Sequence, residues 1–308
     1  MLEIIKNPNF DFLGKTKLFG VVSLAAILGG LVFILANGLY FGTNAKGFGV
    51  EFSGGTQLIV HFEKTPEIDR IRSAVPNATI QTYDDPSKNQ VLVRLAAADE
   101  ANLDQAANDA EAAIASGYRE NTILDTSSEI VGPTVGADLR EKAVQLTVWG
   151  LLFQLLFIGW RFGGAMWGAA ATVAVFHDVL VTISFLAIFQ YDITLNVIAA
   201  LLTLVGYSVN DTIVIFDRVR ENMKTRRKAP LAKVLNDSIN QTLTRTLISS
   251  GSTFLAVLGL YIFGGEVLRG FAFTMVIGIL VGTYSTIYIA TPIVVWWQNR
   301  RDGRVASA

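Results

Sequence analysis

"ITLNVIAALLTLVGYSVNDTIVIF", Ile193 to Phe216, is long and apolar enough to cross a bilayer, yet it carries Asn210 and Asp211 side by side just before a charged exit at Asp217 and Arg218. A membrane helix needs about 20 mainly apolar residues. An ionisable group at that depth costs at least a few kcal/mol and is usually functional. This stretch therefore sets the class of the protein and poses the first question about its action.

The rest of the chain agrees with that class. Of 308 residues, 51% are hydrophobic and 17% charged, against about 25% charged in soluble domains, and the mean hydropathy is +0.44. A net charge of −1 gives no reason to expect nucleic acid as a partner, and the absence of Cys excludes disulfide and thiol chemistry.

Five more apolar runs flank the central one: Leu18 to Phe41, Ala143 to Trp160, Ala165 to Phe189, Leu247 to Phe263 and Gly270 to Trp297. The first exceeds the roughly 7 to 15 residues of a signal-peptide core and reads as an uncleaved anchor. The prediction is an integral membrane α-helical bundle of six transmembrane helices.

Lys and Arg favour the cytoplasmic side of short connections. The connection 217–246 holds Arg218, Arg220, Lys224, Arg226, Arg227, Lys228, Lys233 and Arg245. Lys6, Lys15, Lys17, Arg161, Arg300, Arg301 and Arg304 fall on the same side, while the opposite short connections carry only Arg269. The expected layout is a cytoplasmic N-terminus (1–17), a first span (18–41), an extracytoplasmic domain (42–142), a five-helix region (143–297) with a basic cytoplasmic loop (217–246), and a cytoplasmic tail (298–308). This describes a multi-pass protein with the lipid bilayer as its solvent and both termini on the cytoplasmic side.

Within 42–142, "GVEFSGGTQLIVHFE" alternates as a strand, "EIDRIRSAVP" has helical spacing, and "ATIQTY" and "NQVLVRL" read as strands. "DEANLDQAANDAEAAIASG" is an Ala-rich helix and "NTILDTSSEIVG" a final strand. The order β-α-β-β-α-β predicts an α+β ferredoxin-like domain, with two helices on one face of a four-stranded antiparallel sheet. "FSGGT", Phe52 to Thr56, reads as a turn or bulge in the first strand rather than a phosphate loop. "KTRRKAPLAKVLNDSINQTL" suggests an amphipathic helix on the membrane surface beside the plain reading of a positive anchor.

Asp211 lies seven residues from Arg218, roughly 10 Å above the inner exit. Thr203, Tyr207 and Asn210 join it at helical spacing, and Thr242, Arg245, Ser249, Ser252 and Thr253 form a second polar stripe at similar depth. Arg245 is the natural partner for Asp211: beside a fixed cation a carboxylate stays ionised, and away from it in a dry site it takes up a proton. A static ion pair that only orders the bundle is the alternative. "VFHDVLVT" adds His177 and Asp178 near mid-membrane, a possible proton relay or a hydrogen-bonded packing pair. Gly163, Gly164, Gly168, Gly278 and Gly282 suit close helix contacts, internal or with a partner subunit. There is no metal-binding His pair, P-loop or GxSxG motif. Any work must then draw on an ion gradient, with no cofactor.

"GVEFSGGTQL", "VGPTVGADLR", "FHDVLVT", "VGYSVNDTIVIFDRVREN" and "NQTLTRTLISSGSTF" together resemble the SecF family, membrane subunits of the bacterial SecD/SecF protein-export complex within the resistance-nodulation-division superfamily. The resemblance spans nearly the whole chain. It implies that the membrane is the bacterial cytoplasmic (inner) membrane. It implies pairing with SecD beside the SecY/SecE/SecG channel, and use of the proton motive force to draw a translocating pre-protein outward. It also implies a proton-coupling role for Asp211 and Arg245, with Asn210 supporting them. Two alternatives remain at this level: a half-size proton-driven exporter of small molecules or lipids working as a homodimer, and a structural scaffold.

Overall fold

The computed structural model describes residues 8–39, 47–83, 86–96 and 102–306. Lys6, Tyr40 and Phe41 of the first expected span, and Asp99 to Ala101 of the Ala-rich helix lie outside the described residues.

Helix α1 (Thr16–Asn37) is followed by a short helix α2 (Val50–Ser53), then β1 (Gly55–Phe62), α3 (Ile68–Ala74), β2 (Ala78–Tyr83), β3 (Gln90–Leu95), α4 (Leu103–Gly117) and β4 (Ile123–Val131). The strands form one antiparallel sheet in the order β2-β3-β1-β4. Alternation along β1 sends Leu58, Val60 and Phe62 to one face, where they pack with Ile71 of α3 and Ile114 of α4. Ile114 is fully buried, a position where truncation to Ala costs about 2–5 kcal/mol.

The expected first strand is corrected at its start. Val50–Ser53 is helical, and the strand begins only at Gly55, because Gly54 (φ 70) and Gly55 (φ 126) turn the chain in a conformation that side chains resist. A Cβ on Gly54 would also lie 2.8 Å from Cα of Pro133, so the turn is clamped against the next helix.

That helix, α5 (Pro133–Phe162), starts at Pro133, ahead of the expected Ala143, with Pro in its first turn and Gly163 in the left-handed conformation at its end. Then follow α6 (Ala165–Ile188), α7 (Leu195–Thr225) and α8 (Leu231–Phe263). Last come α9 (Glu266–Ser285), a π-helical turn (Thr286–Ala290) and α10 (Thr291–Ala306). Among the described residues, six helical segments are long and apolar enough to cross a membrane. The chain is a multi-pass membrane protein.

The basic connection expected at 217–246 is helical almost throughout, with only 226–230 between α7 and α8. The amphipathic stretch is therefore the first part of α8 and not a separate surface helix. Polar contacts zip the two helices beyond the apolar region: Asn222 Nδ2 donates to Ser238 Oγ (2.8 Å) and Gln241 Oε1 (3.0 Å), and Arg226 pairs with Asp237 at 2.7 Å. The N-terminal segment docks here too. Asn240 Oδ1 accepts from the backbone N–H of Phe10, and Asn236 Oδ1 from that of Phe12.

The polar face of the sheet rests on the α6–α7 loop. Arg94 of β3 pairs with Asp192 of that loop at 2.5 Å and donates to Gln57 of β1 at 3.0 Å. Backbone bonds reinforce the junction, from Ile193 N–H to Gly47 O (2.7 Å) and from Gly49 N–H to Ile193 O (3.0 Å). Along the same cross-strand row, desolvation and the nearby Glu51 push the Glu129 carboxyl above its usual range, while Arg94 pulls it back.

Candidate functional site

The six membrane helices are not equivalent. In their most apolar windows α6, α7 and the α9–α10 segment are 56%, 50% and 61% buried, whereas α1, α5 and α8 are 17%, 6% and 11% buried. The first three make the centre of the bundle, and both membrane carboxylates sit on them.

Asp178 of α6 is fully buried. Its Oδ2 accepts from Ser208 Oγ of α7 (2.5 Å) and from Ser285 Oγ at the end of α9 (2.9 Å), and its Oδ1 lies 3.0 Å from Nδ1 of His177. His177 Nε2 is 3.4 Å from the Tyr284 hydroxyl, which is 3.0 Å from Ser23 Oγ of α1. A hydrogen-bonded line thus runs from α7 through α6 and α9 to α1.

The helix glycines make room for it. A Cβ on Gly282 would lie 3.1 Å from Ser208 Cβ and 3.5 Å from Asp178 Oδ2, and one on Gly278 would strike Leu204. The GxxxG-like step is an internal contact between α9 and α7. Directly beyond Ser285 the helix widens into its π turn, and Thr286 Oγ1 meets Thr212 Oγ1 of α7 at 2.9 Å. Such turns concentrate at functional sites.

Asp211, one turn beyond Ser208 on α7, is 5% exposed and differently served. Its Oδ2 accepts one hydrogen bond, from Ser250 Oγ of α8 at 2.7 Å. Arg245 forms no ion pair with it among the described residues, acting through space from the exposed side of α8. The partner expected from sequence is near but not in contact: α8 turns Ser250 toward Asp211 and Arg245 outward. Thr246, one turn before Ser250, has a buried hydroxyl with no partner among the described residues.

The single polar stripe expected on α7 also divides. Thr203 and Asn210 are exposed while Asp211 is buried. The Asn210 and Arg245 side chains make no hydrogen bond or ion pair among the described residues, so two polar groups at membrane depth look outward from adjacent helices. His177 and Asp178 are brought together, Asp211 and Arg245 share one region without touching, and Asn210 lies outside the hydrogen-bonded cluster.

Sequence reading missed Ser208, Ser250, Ser285 and Tyr284. Each is a hydroxyl inside an apolar span, next to other hydroxyls at Tyr207, Ser249, Thr283 and Thr286, and that clustering is the signal by which they could have been found. Spacing along one helix does not reveal partners on another: Ser208 and Ser285 lie 30 and 107 positions from Asp178. Among the described residues, no group of three or more acidic or His side chains could hold a metal ion.

Comparison with known proteins gives a consistent result. A family model for the C-terminal region of the protein export membrane proteins SecD and SecF matches residues 112–300. The protein translocase subunit SecF of Koribacter versatilis is 37% identical over 100% of this chain and 96% of its own. That of Calditerrivibrio nitroreducens is 40% identical over 95% of this chain and 96% of its own. The crystal structure of SecDF, a translocon-associated membrane protein from Thermus thermophilus, superposes with a TM-score of 0.81 at 34% identity. It is matched over 95% of this chain, which spans 39% of that longer one. The chain belongs to the SecD/SecF family of protein-export membrane proteins.

Proposed function

We propose that this family member is the SecF-type half of a SecD/SecF complex that uses the proton motive force to promote late steps of Sec-dependent protein translocation across the bacterial inner membrane. Asp211 takes up and releases the proton. Arg245 is the mobile counter-charge: in contact it favours the carboxylate, and withdrawn it favours the acid. SecD supplies the second six-helix half, the SecY/SecE/SecG channel delivers the pre-protein, and the domain between α1 and α5 faces outward to engage it. No cofactor is used beyond the proton gradient.

The observation that carries this reading is the environment of Asp211: a buried membrane carboxylate with one hydroxyl donor and its cation near but not in contact. An ion pair built for stability needs good geometry and further hydrogen bonds to offset desolvation. Outward-facing Asn210 and Arg245 support a second protein half here, since lipid cannot satisfy them. Docking of Phe10 and Phe12 on the start of α8 supports a shared cytoplasmic side for the N-terminus and the basic α7–α8 turn. The strand order β2-β3-β1-β4 with both helices on one face supports a ferredoxin-like outer domain. Arg94 and Asp192 join that domain to the loop between the two carboxylate-bearing helices, a route for motion at Asp211 to reach the substrate.

The test uses inverted vesicles containing this chain and SecD. Asp211→Asn at matched complex abundance is expected to abolish both proton release and the gradient-dependent part of pre-protein translocation. Full proton release and translocation in Asp211→Asn vesicles would sink the mechanism.

A further inference from the structure

At the junction of the outer domain and the bundle lies an apolar cavity of about 290 Å³, lined by Phe48 and Phe52, by Ile193 just before α7 and Ile198 in its first turn, and by Val144 and Arg140 on α5. Three observations say what fits it.

The first is depth. Arg140 and Arg161 sit near opposite ends of α5, 21 residues and so roughly 32 Å apart along the axis, close to the hydrocarbon thickness of about 30 Å. Arg140 is thus at the headgroup boundary opposite Arg161, and Val144 lies one turn inside the acyl region. The second is charge. Arg140 is exposed and makes no hydrogen bond or ion pair among the described residues, while its neighbours Asp138 and Lys142 pair with each other at 2.6 Å. Guanidinium favours phosphate oxygens, which it can bind in a bidentate fork. The third is access. Val144 is 60% exposed, so the cavity opens sideways, where the bilayer lies.

We infer that this cavity binds one anionic phospholipid of the adjacent leaflet, with an acyl segment against Phe52, Ile193 and Val144 and its phosphate on Arg140. A bound lipid would wedge the outer domain, α5 and the loop that holds Asp192. The inference rests only on α5 crossing the bilayer, so its failure leaves the export reading standing.

The test is native mass spectrometry of the purified full-length chain, delipidated and titrated with equimolar palmitoyl-oleoyl phosphatidylglycerol and phosphatidylcholine. One retained phosphatidylglycerol is expected, with a preference of about tenfold from the charge-assisted contact. Arg140→Gln should remove the preference, Val144→Trp should remove retention of either lipid, and Val135→Trp, exposed elsewhere on α5, should change neither. An unchanged preference in Arg140→Gln, undiminished retention in Val144→Trp, or complete displacement by inorganic phosphate alone would overturn it. Capture of an apolar signal-sequence peptide in place of lipid would also overturn it, in favour of a substrate site.

Discussion

Asp178 and Asp211 are the same residue type, on adjacent helices of one bundle, yet the protein treats them oppositely. Asp178 is held by Ser208, Ser285 and His177 from three directions and is sealed from solvent. Asp211 has Ser250 alone among the described residues, a trace of exposure, and a cation at a distance. A carboxylate whose acceptor sites are filled by packed donors has little reason to change state. One left half-served beside a movable charge can change state at small cost. On the proposed mechanism, Asp178 holds α6, α7 and α9 in register and Asp211 does the coupling.

The assignment breaks first, and by the largest margin, if the two substitutions fail to separate. Asp211→Asn should reduce gradient-driven translocation at least about tenfold, roughly 1.4 kcal/mol or more, while leaving the thermal midpoint of the purified complex nearly unchanged. Asp178→Ala should do the reverse first: it strands three buried partners, costs about 3 kcal/mol or more, and lowers that midpoint before any transport is measured. Equal loss of stability in both variants would erase the distinction.

Arg245 sharpens the same contrast at smaller scale. Arg245→Ala is expected to leave SecD co-purification intact and to reduce gradient-driven translocation severalfold, with Arg245→Lys recovering part of it because the charge returns without the planar fork. Loss of SecD binding in step with activity would make Arg245 an assembly residue.

Smaller still is the outer latch. Arg94→Gln removes the partner of Asp192, which is 19% exposed, and should speed hydrogen exchange at 190–194 with a loss of translocation of about twofold. Unchanged exchange would show that the backbone bonds of Ile193 suffice. The least effect belongs to Glu129, whose folded carboxyl holds its proton above the usual range. Its contribution is therefore fully favourable only below the ordinary carboxylate value and declines as pH rises through the folded one. Glu129→Gln should raise the midpoint near neutral pH by about a degree at most, given its exposure, and not at all in acid. A fall near neutral pH would reverse the sign.

Much of this architecture was legible in the sequence because hydrophobicity is a local property. The six spans and the strand and helix order of the α+β domain follow from composition and period, and Asp211 stands out as a carboxylate within an apolar run. Helix ends beyond the apolar runs were not legible. Pro133 to Lys142 and Leu231 to Thr246 carry charges that a span reading assigns to loops, though charged residues serve a helix well outside the bilayer. The cage of Asp178 was hidden for a different reason: its donors come from other helices, and the angle at which helices cross is set by tertiary packing. For Arg245, depth along α8 was readable but its direction was not: Arg245 and Ser250 lie roughly 140° apart around the helix, and which of them faces Asp211 is set by how α8 packs on α7.

The most direct measurement is isotope-edited infrared difference spectroscopy of the SecD-bound complex, recorded as a proton gradient is imposed. The account predicts a carboxylic acid band that changes with the gradient, persists in Asp178→Asn and vanishes in Asp211→Asn. A band that survives Asp211→Asn and disappears in Asp178→Asn would contradict it, moving the coupling site into the hydrogen-bonded line of His177 and Tyr284.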